Sequence, residues 1–264
     1  MKKYAIIYIC TGGYSVFWKD FFSSAEQFFL VDAIKDYYVF TDDNELMMIN
    51  SDHVYTYYCK KMGWPYDTLL RWDRICGIQD LLVKYDYVVF CNANMKFLDV
   101  VSSAIFEKTS ITLCSYTSPA DKPDDMPLER RSESKAYVPY GSNHTKYVAG
   151  GFILGQAAAF LKMARELREW TEQDLRKGII PVWHDESMLN AYLHLYSTEL
   201  SVYYVGAEFV AIEERLKSGD APKAIFRNKD RYGGNIGIRY NVTLGKLDIF
   251  RRKIMGKMLT LLGK

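Results

Sequence analysis

The chain lacks any run of the roughly 18 apolar residues that a membrane-spanning helix requires, and the apolar stretch in its start, MKKYAIIYIC, is too short for a signal peptide. Cysteine is sparse and irregular: Cys10, Cys59, Cys76, Cys91 and Cys114 are five in number, and no two stand as C-x-x-C. That spacing suggests neither a zinc site nor a secreted disulfide framework, so a reducing compartment is expected. Net charge is only +2, which speaks against a general nucleic-acid binder. There is no H-E-x-x-H, no complete G-x-G-x-x-G and no internal repeat. What is present is ordinary for a folded chain: 264 residues, 49% hydrophobic and 25% charged, enough to bury a core without disulfide staples.

Tyr4–Ile9 is a short β-branched and aromatic run that predicts a buried strand. Trp18, Phe21, Phe22, Ala25, Phe28 and Phe29 recur at helical spacing, and Tyr37–Phe40 is a second strand closed by Thr41-Asp42-Asp43. A right-handed crossover makes these two strands parallel. A helix is expected over Leu70–Val83, a strand over Asp86–Cys91, a long helix over Gln156–Lys177, a short strand or extended approach over Ile179–Trp183 and a helix over Glu186–Leu195. Residues 117–135, with three prolines and no period, are expected to be a mobile loop. The alternation implies an α/β sheet with ligands at the carboxyl ends of its strands. One domain is expected over residues 1–245, followed by an appendage at 246–264.

Four segments can carry chemistry. Ile9-Cys10-Thr11-Gly12-Gly13-Tyr14 joins the first strand to the first helix, where glycines admit a ligand to the backbone; a plain tight turn is the alternative. Asn92-Ala-Asn94 ends a buried strand with two carboxamides, which are poor ligands for a hard cation, and it too has the alternative of a turn. Trp183-His184-Asp185-Glu186-Ser187 opens a helix with two carboxylates and an imidazole; the structural alternative makes Asp185 an N-cap. Arg227-Asn-Lys229-Asp-Arg231-Tyr-Gly-Gly is either a basic lid over a diphosphate or a solvated loop.

Taken together, WHDESMLN (Trp183–Asn190), ERRSESKAYVP (Glu129–Pro139), AGGF (Ala149–Phe152) and YYVFTD (Tyr37–Asp42) resemble glycosyltransferase family 6, which includes the blood-group A and B transferases and the α1,3-galactosyltransferases. The resemblance implies a single GT-A nucleotide-sugar domain and a retaining transfer of GalNAc or Gal from UDP in α1,3 linkage to a galactose that usually carries fucose. It places Glu186 on the β face of the donor's anomeric carbon, Asp185 on the donor sugar hydroxyls, and Trp183 and His184 in the donor and acceptor pockets. Ile9, Cys10, Thr11 and Tyr14 fall around uracil and ribose, and Arg74 matches a donor-contacting arginine. Ala149-Gly150-Gly151 falls at the donor-selecting triplet. Glycine in its last place leaves room for a 2-acetamido group, so UDP-GalNAc is the expected donor and UDP-Gal the alternative.

The sequence departs from the animal members in two places. Where they have Asp-x-Asp for Mn²⁺, this chain has Asn92-Ala-Asn94, as bacterial relatives that work without metal do. No cofactor is therefore expected, and Arg227, Lys229 and Arg231 become the candidate cations for the leaving diphosphate. A family histidine of the acceptor pocket is replaced by the stretch Leu113-Cys114-Ser115-Tyr116. The chain also begins at the first strand, without the anchor of the animal members, which leads to the expectation of a bacterial cytoplasmic enzyme of surface-glycan synthesis. A catalytically silent glycan- or nucleotide-binding module is the reading from another class. Residues 246–264 carry six cations against the single Asp248, a net +5 that leaves −3 for the rest of the chain. There Leu247, Phe250, Ile254, Met258 and Leu261 recur at helical spacing. Such a basic amphipathic helix suits an anionic membrane surface, or docks on the domain or on a second subunit.

Overall fold

The computed structural model describes residues 1–107, 109–118 and 120–232. The expected boundary at 245/246, the helix over 246–264 and Gly233-Gly234 of the lid lie outside the described residues.

The strands are β1 (Lys3–Cys10), β2 (Ile34–Thr41), β3 (Val54–Tyr58), β4 (Tyr87–Asn92), β5 (Met95–Phe97), β6 (Ile111–Ser115), β7 (Val148–Gln156), β8 (Val202–Val205), β9 (Val210–Ile212) and β10 (Ala224–Phe226). Seven form one sheet in the order β3-β2-β1-β4-β7-β6-β8, and β5-β10-β9 form a smaller one. β1 and β2 are parallel, as the crossover rule requires. Only β7 runs against its neighbours in the large sheet. The amino end of β7 therefore lies beside the carboxyl ends of β4 and β6.

The helices are α1 (Trp18–Phe28), α2 (Asn44–Met47), α3 (Tyr66–Leu69), α4 (Arg71–Gly77), α5 (Gln79–Leu82), α6 (Ala157–Arg176), α7 (Asp185–Leu195) and α8 (Lys229–Tyr232). The sheet separates two apolar cores. On one side Trp72, Phe160, Leu167 and Tyr192 pack from α4, α6 and α7; on the other, Phe21, Phe29, Phe97 and Phe152 pack α1 and the small sheet. Burying a sheet on both faces explains why β1 and β4 are apolar runs rather than alternating ones.

Three expectations are corrected. The helix expected over Leu70–Val83 is broken at Ile78 into α4 and α5, the break following Gly77, a poor helix residue. Ile179–Trp183 is not a strand. Its path is set by two hydrogen bonds: the Ile179 N–H donates to the main-chain carbonyl of Asp174, near the end of α6, and the Val182 N–H to the carboxylate of the distant Glu129. Finally, the 117–135 loop is tied down over its second half. Glu129 accepts from the Arg131 guanidinium at 2.6 and 2.9 Å, while Ser134 and the amide of Lys135 donate to the Asp174 carboxylate.

Candidate functional site

β7 is the strand that makes the site. Its register against β6 jumps between Leu113 and Cys114, and its pairing with β4 stops at Phe152. Ala149, Gly150 and Gly151 sit in that irregularity. A bulge leaves ladder groups free for other partners, and here both polar groups of Gly150 are used. Its N–H donates to Glu186 Oε2 at 2.9 Å, and its carbonyl accepts from Arg71. No side chain fits between them: a Cβ on Gly150 would lie 2.9 Å from Asp185 Oδ2.

The two carboxylates stand at the start of α7, where the helix dipole favours negative charge. Asp185 is the first helical residue rather than the N-cap. His184 takes the cap position with φ of 55°, a left-handed conformation rare for a residue with a side chain. The Trp64 ring packs edge-on against the His184 imidazole, 4.6 Å between centroids, and the Trp183 N–H donates to Ser187. Asp185 is buried and ion-paired with the equally buried Arg71 at 3.1 Å. Glu186 is half-buried; its Oε1 accepts from the Tyr147 hydroxyl at 2.7 Å. Loss of surrounding water pushes both acids above their ordinary range. Arg71 opposes this for Asp185, and the bonds from Tyr147 and Gly150 oppose it for Glu186. The result is an oriented anion with its counter-charge held one residue away.

Tyr147 also reaches the other way. Its N–H donates to Thr117 and its carbonyl accepts from Ser115, at the carboxyl end of β6. Those residues wall a pocket of about 700 Å³ that Tyr116, Glu208, Arg215 and Asp220 also line.

On the other flank, β1 and β4 bring Ile9 opposite Asn92. Thr11 is buried and Tyr14 half-buried, whereas Cys10 is fully buried and offers no surface to a ligand. Asn94 does not stand beside Asn92 as a second free carboxamide: it lies past the end of β4, donates to the carbonyl of Arg227 at 2.7 Å, and its own carbonyl accepts from Arg227 N–H. Asn92 sits near Gly151, where a Cβ would be 3.0 Å from its amide nitrogen and 2.5 Å from the Phe226 ring. This pair does not fit a divalent cation. Both side chains are uncharged, and one amide is committed to holding the backbone.

The remaining expected residues separate. Arg74 is tied to Asp67, and Arg71, three residues earlier, is the arginine that pairs with Asp185. Arg227 is buried, paired with Asp20 at 2.8 Å and packed over Phe17, so it is not a free cation for a diphosphate. Lys229 stands 5.4 Å from the Tyr14 ring, and Arg231 is exposed. Arg71, Tyr147 and Glu129 were not singled out from sequence. Their only signals were proximity: Arg71 shares a helix with Arg74, Tyr147 precedes the AGGF run, and Glu129 opens the ERRSESK run.

A family model described as glycosyltransferase family 6 matches residues 5–218. The chain is 30% identical over 234 residues to the O-antigen biosynthesis glycosyltransferase WbnI of Escherichia coli, covering 88% of this chain and 97% of that protein. It is 31% identical over 209 residues to histo-blood group ABO system transferase 1 of Rattus norvegicus, covering 73% of this chain and 57% of the relative. With the model spanning the sheet, the bulged β7 and the start of α7, the chain belongs to glycosyltransferase family 6: its α/β fold is a single GT-A-like domain, acting on a nucleotide-sugar donor and a glycan acceptor.

Proposed function

We propose that the chain is a retaining transferase that moves GalNAc from UDP-GalNAc in α1,3 linkage to a galactose acceptor, fucosylated as in blood-group glycans, without a metal ion. The observation that carries this reading is Glu186, whose two oxygens are held by Tyr147 and by the bulged Gly150. A retaining reaction needs an anion fixed against the anomeric carbon, either as attacking group or as stabiliser of the developing oxocarbenium charge. On this reading Asp185, ion-paired with Arg71, receives donor hydroxyls, and the pocket walled by Ser115 and Thr117 seats the acceptor. Carboxamides at Asn92 and Asn94 support metal independence. The O-antigen relative supports a role in bacterial surface-glycan synthesis.

A second reading, transfer of galactose, is favoured by Phe226. Its ring already covers Gly151, where the acetamido group would need room. UDP release from each donor with 2′-fucosyllactose, in EDTA and in Mn²⁺, separates these readings. Faster turnover of UDP-GalNAc in EDTA is expected. Strict Mn²⁺ dependence would overturn the metal-free mechanism, and faster turnover of UDP-Gal would overturn the donor. Affinity for UDP with no turnover of either sugar would favour the silent binding module.

Among the described residues no helix is long and apolar enough to cross a membrane. The tail at 246–264, on its sequence pattern, is the segment suited to an anionic surface. Removing it should abolish co-sedimentation with anionic liposomes, and unchanged binding would sink that role.

A further inference from the structure

Resting on the UDP-sugar reading above, we propose that Lys61, on the loop between β3 and α3, is a further donor-binding residue whose ammonium, with Lys229, meets the diphosphate. The loop is fixed at both ends of its turn: Met62 and Gly63 donate to the Asp67 carboxylate at 2.8 and 3.0 Å, and Trp64 packs on His184. From this support the half-buried Lys61 side chain lies across the backbone of Gly12. A Cβ built on Gly12 would meet Lys61 Cδ at 2.8 Å and Nζ at 3.1 Å. Gly12, with φ of 58°, is in the turn that leaves β1, close to where Ile9 faces Asn92. Lys229 reaches the same turn at Tyr14.

The basic groups around the site fall into two classes. Arg71, Arg74 and Arg227 are each matched to a carboxylate, Asp185, Asp67 and Asp20. Among the described residues Lys61 and Lys229 have no carboxylate within 4.0 Å. The Asp42 carboxylate at this turn is committed to the Gly12 N–H at 2.6 Å; a half-buried ammonium over backbone with no direct ion pair is unfavourable in itself, so the arrangement suits an anion that arrives with the substrate. Transfer supplies that anion. The bond from the anomeric carbon to the β-phosphate oxygen breaks with its electron pair left on the phosphate. The acceptor hydroxyl oxygen bonds the anomeric carbon, and its proton passes to the departing phosphate. Two lysines beside that oxygen do electrostatically what a bound cation does in other transferases.

The test is calorimetric titration of UDP and of uridine into the wild type, Lys61→Met and Lys61→Arg. Methionine keeps an unbranched stem on Gly12 and removes the charge. The expected result is a loss of UDP affinity of about tenfold in Lys61→Met, the scale of a charge-assisted hydrogen bond, with uridine affinity unchanged and most UDP affinity kept by Lys61→Arg. Equal weakening of UDP and uridine would show that Lys61 only shapes the turn and would overturn the proposal, as would unchanged UDP affinity. Failure of the wild type to bind UDP would instead overturn the UDP-sugar reading on which the proposal rests.

Discussion

The two flanks of the site are built alike, from strand ends, yet finished differently. On the α7 flank, Glu186 has a donor on each oxygen and Asp185 has a buried arginine. On the β1 flank, Asp42 accepts from the Gly12 N–H of the turn, and Lys61 and Lys229 lie against that turn with no carboxylate within 4.0 Å. The difference teaches where free energy is committed before substrate arrives. On the proposed reading, the flank that orients the sugar ring is fixed in advance, while the flank that accepts the growing negative charge leaves two cations without an ion pair. Preorganised charge of this kind costs no rearrangement at the moment of reaction.

The sharpest way to break this comparison is to remove the anion itself. Glu186→Gln should lower kcat by roughly three orders of magnitude or more, measured as acceptor-dependent UDP release; a mild effect would move the chemistry elsewhere. Next comes the buried pair. Arg71→Met leaves Asp185 charged and alone, and should cost about 3–5 kcal/mol of stability in a urea melt. The double variant with Asp185→Asn should recover part of that loss, and full additivity would show that the pair does not act as a unit. A smaller effect is expected at Glu129, which steers the approach to α7 through Val182. Glu129→Gln should lower kcat about tenfold with both KM values unchanged, as misplacement of a reacting group predicts. A rise in KM alone would contradict that role.

The smallest expected effect is a shift in pH dependence. Burial raises Glu186, and the reaction needs its ionised form, so the acid limb of kcat/KM should lie above the ordinary glutamate value of about 4.3. The Tyr147 hydrogen bond favours the charged form, so Tyr147→Phe should push the limb higher still. A downward shift would mean that Tyr147 does not donate to the carboxylate.

Much of the scaffold was legible because its elements bury continuous faces. β1, β2, β4 and α6 follow directly from apolar runs and helical spacing. The site was legible only in part, since its decisive features depend on distant partners. Nothing local in Ile179–Trp183 reveals that Glu129 bonds to Val182 from 53 residues away. A left-handed His184 has no propensity signal, so Asp185 passes for an N-cap. Arg71 and Arg74 are equivalent in sequence, and only the packing of α4 decides which one pairs with Asp185. Likewise Gly150 was noticed as part of a donor triplet, whereas the strand irregularity that frees its backbone appears only in the pairing of β7 with its neighbours.

The reciprocal bonds between Asn94 and Arg227 bear on how such a site changes over generations. An aspartate at this position loses the amide that holds the Arg227 carbonyl and sets its charge against that oxygen. The carboxamide at position 94 is therefore held by its own neighbourhood: a change there is tolerated only alongside a new anchor for the segment that follows β10.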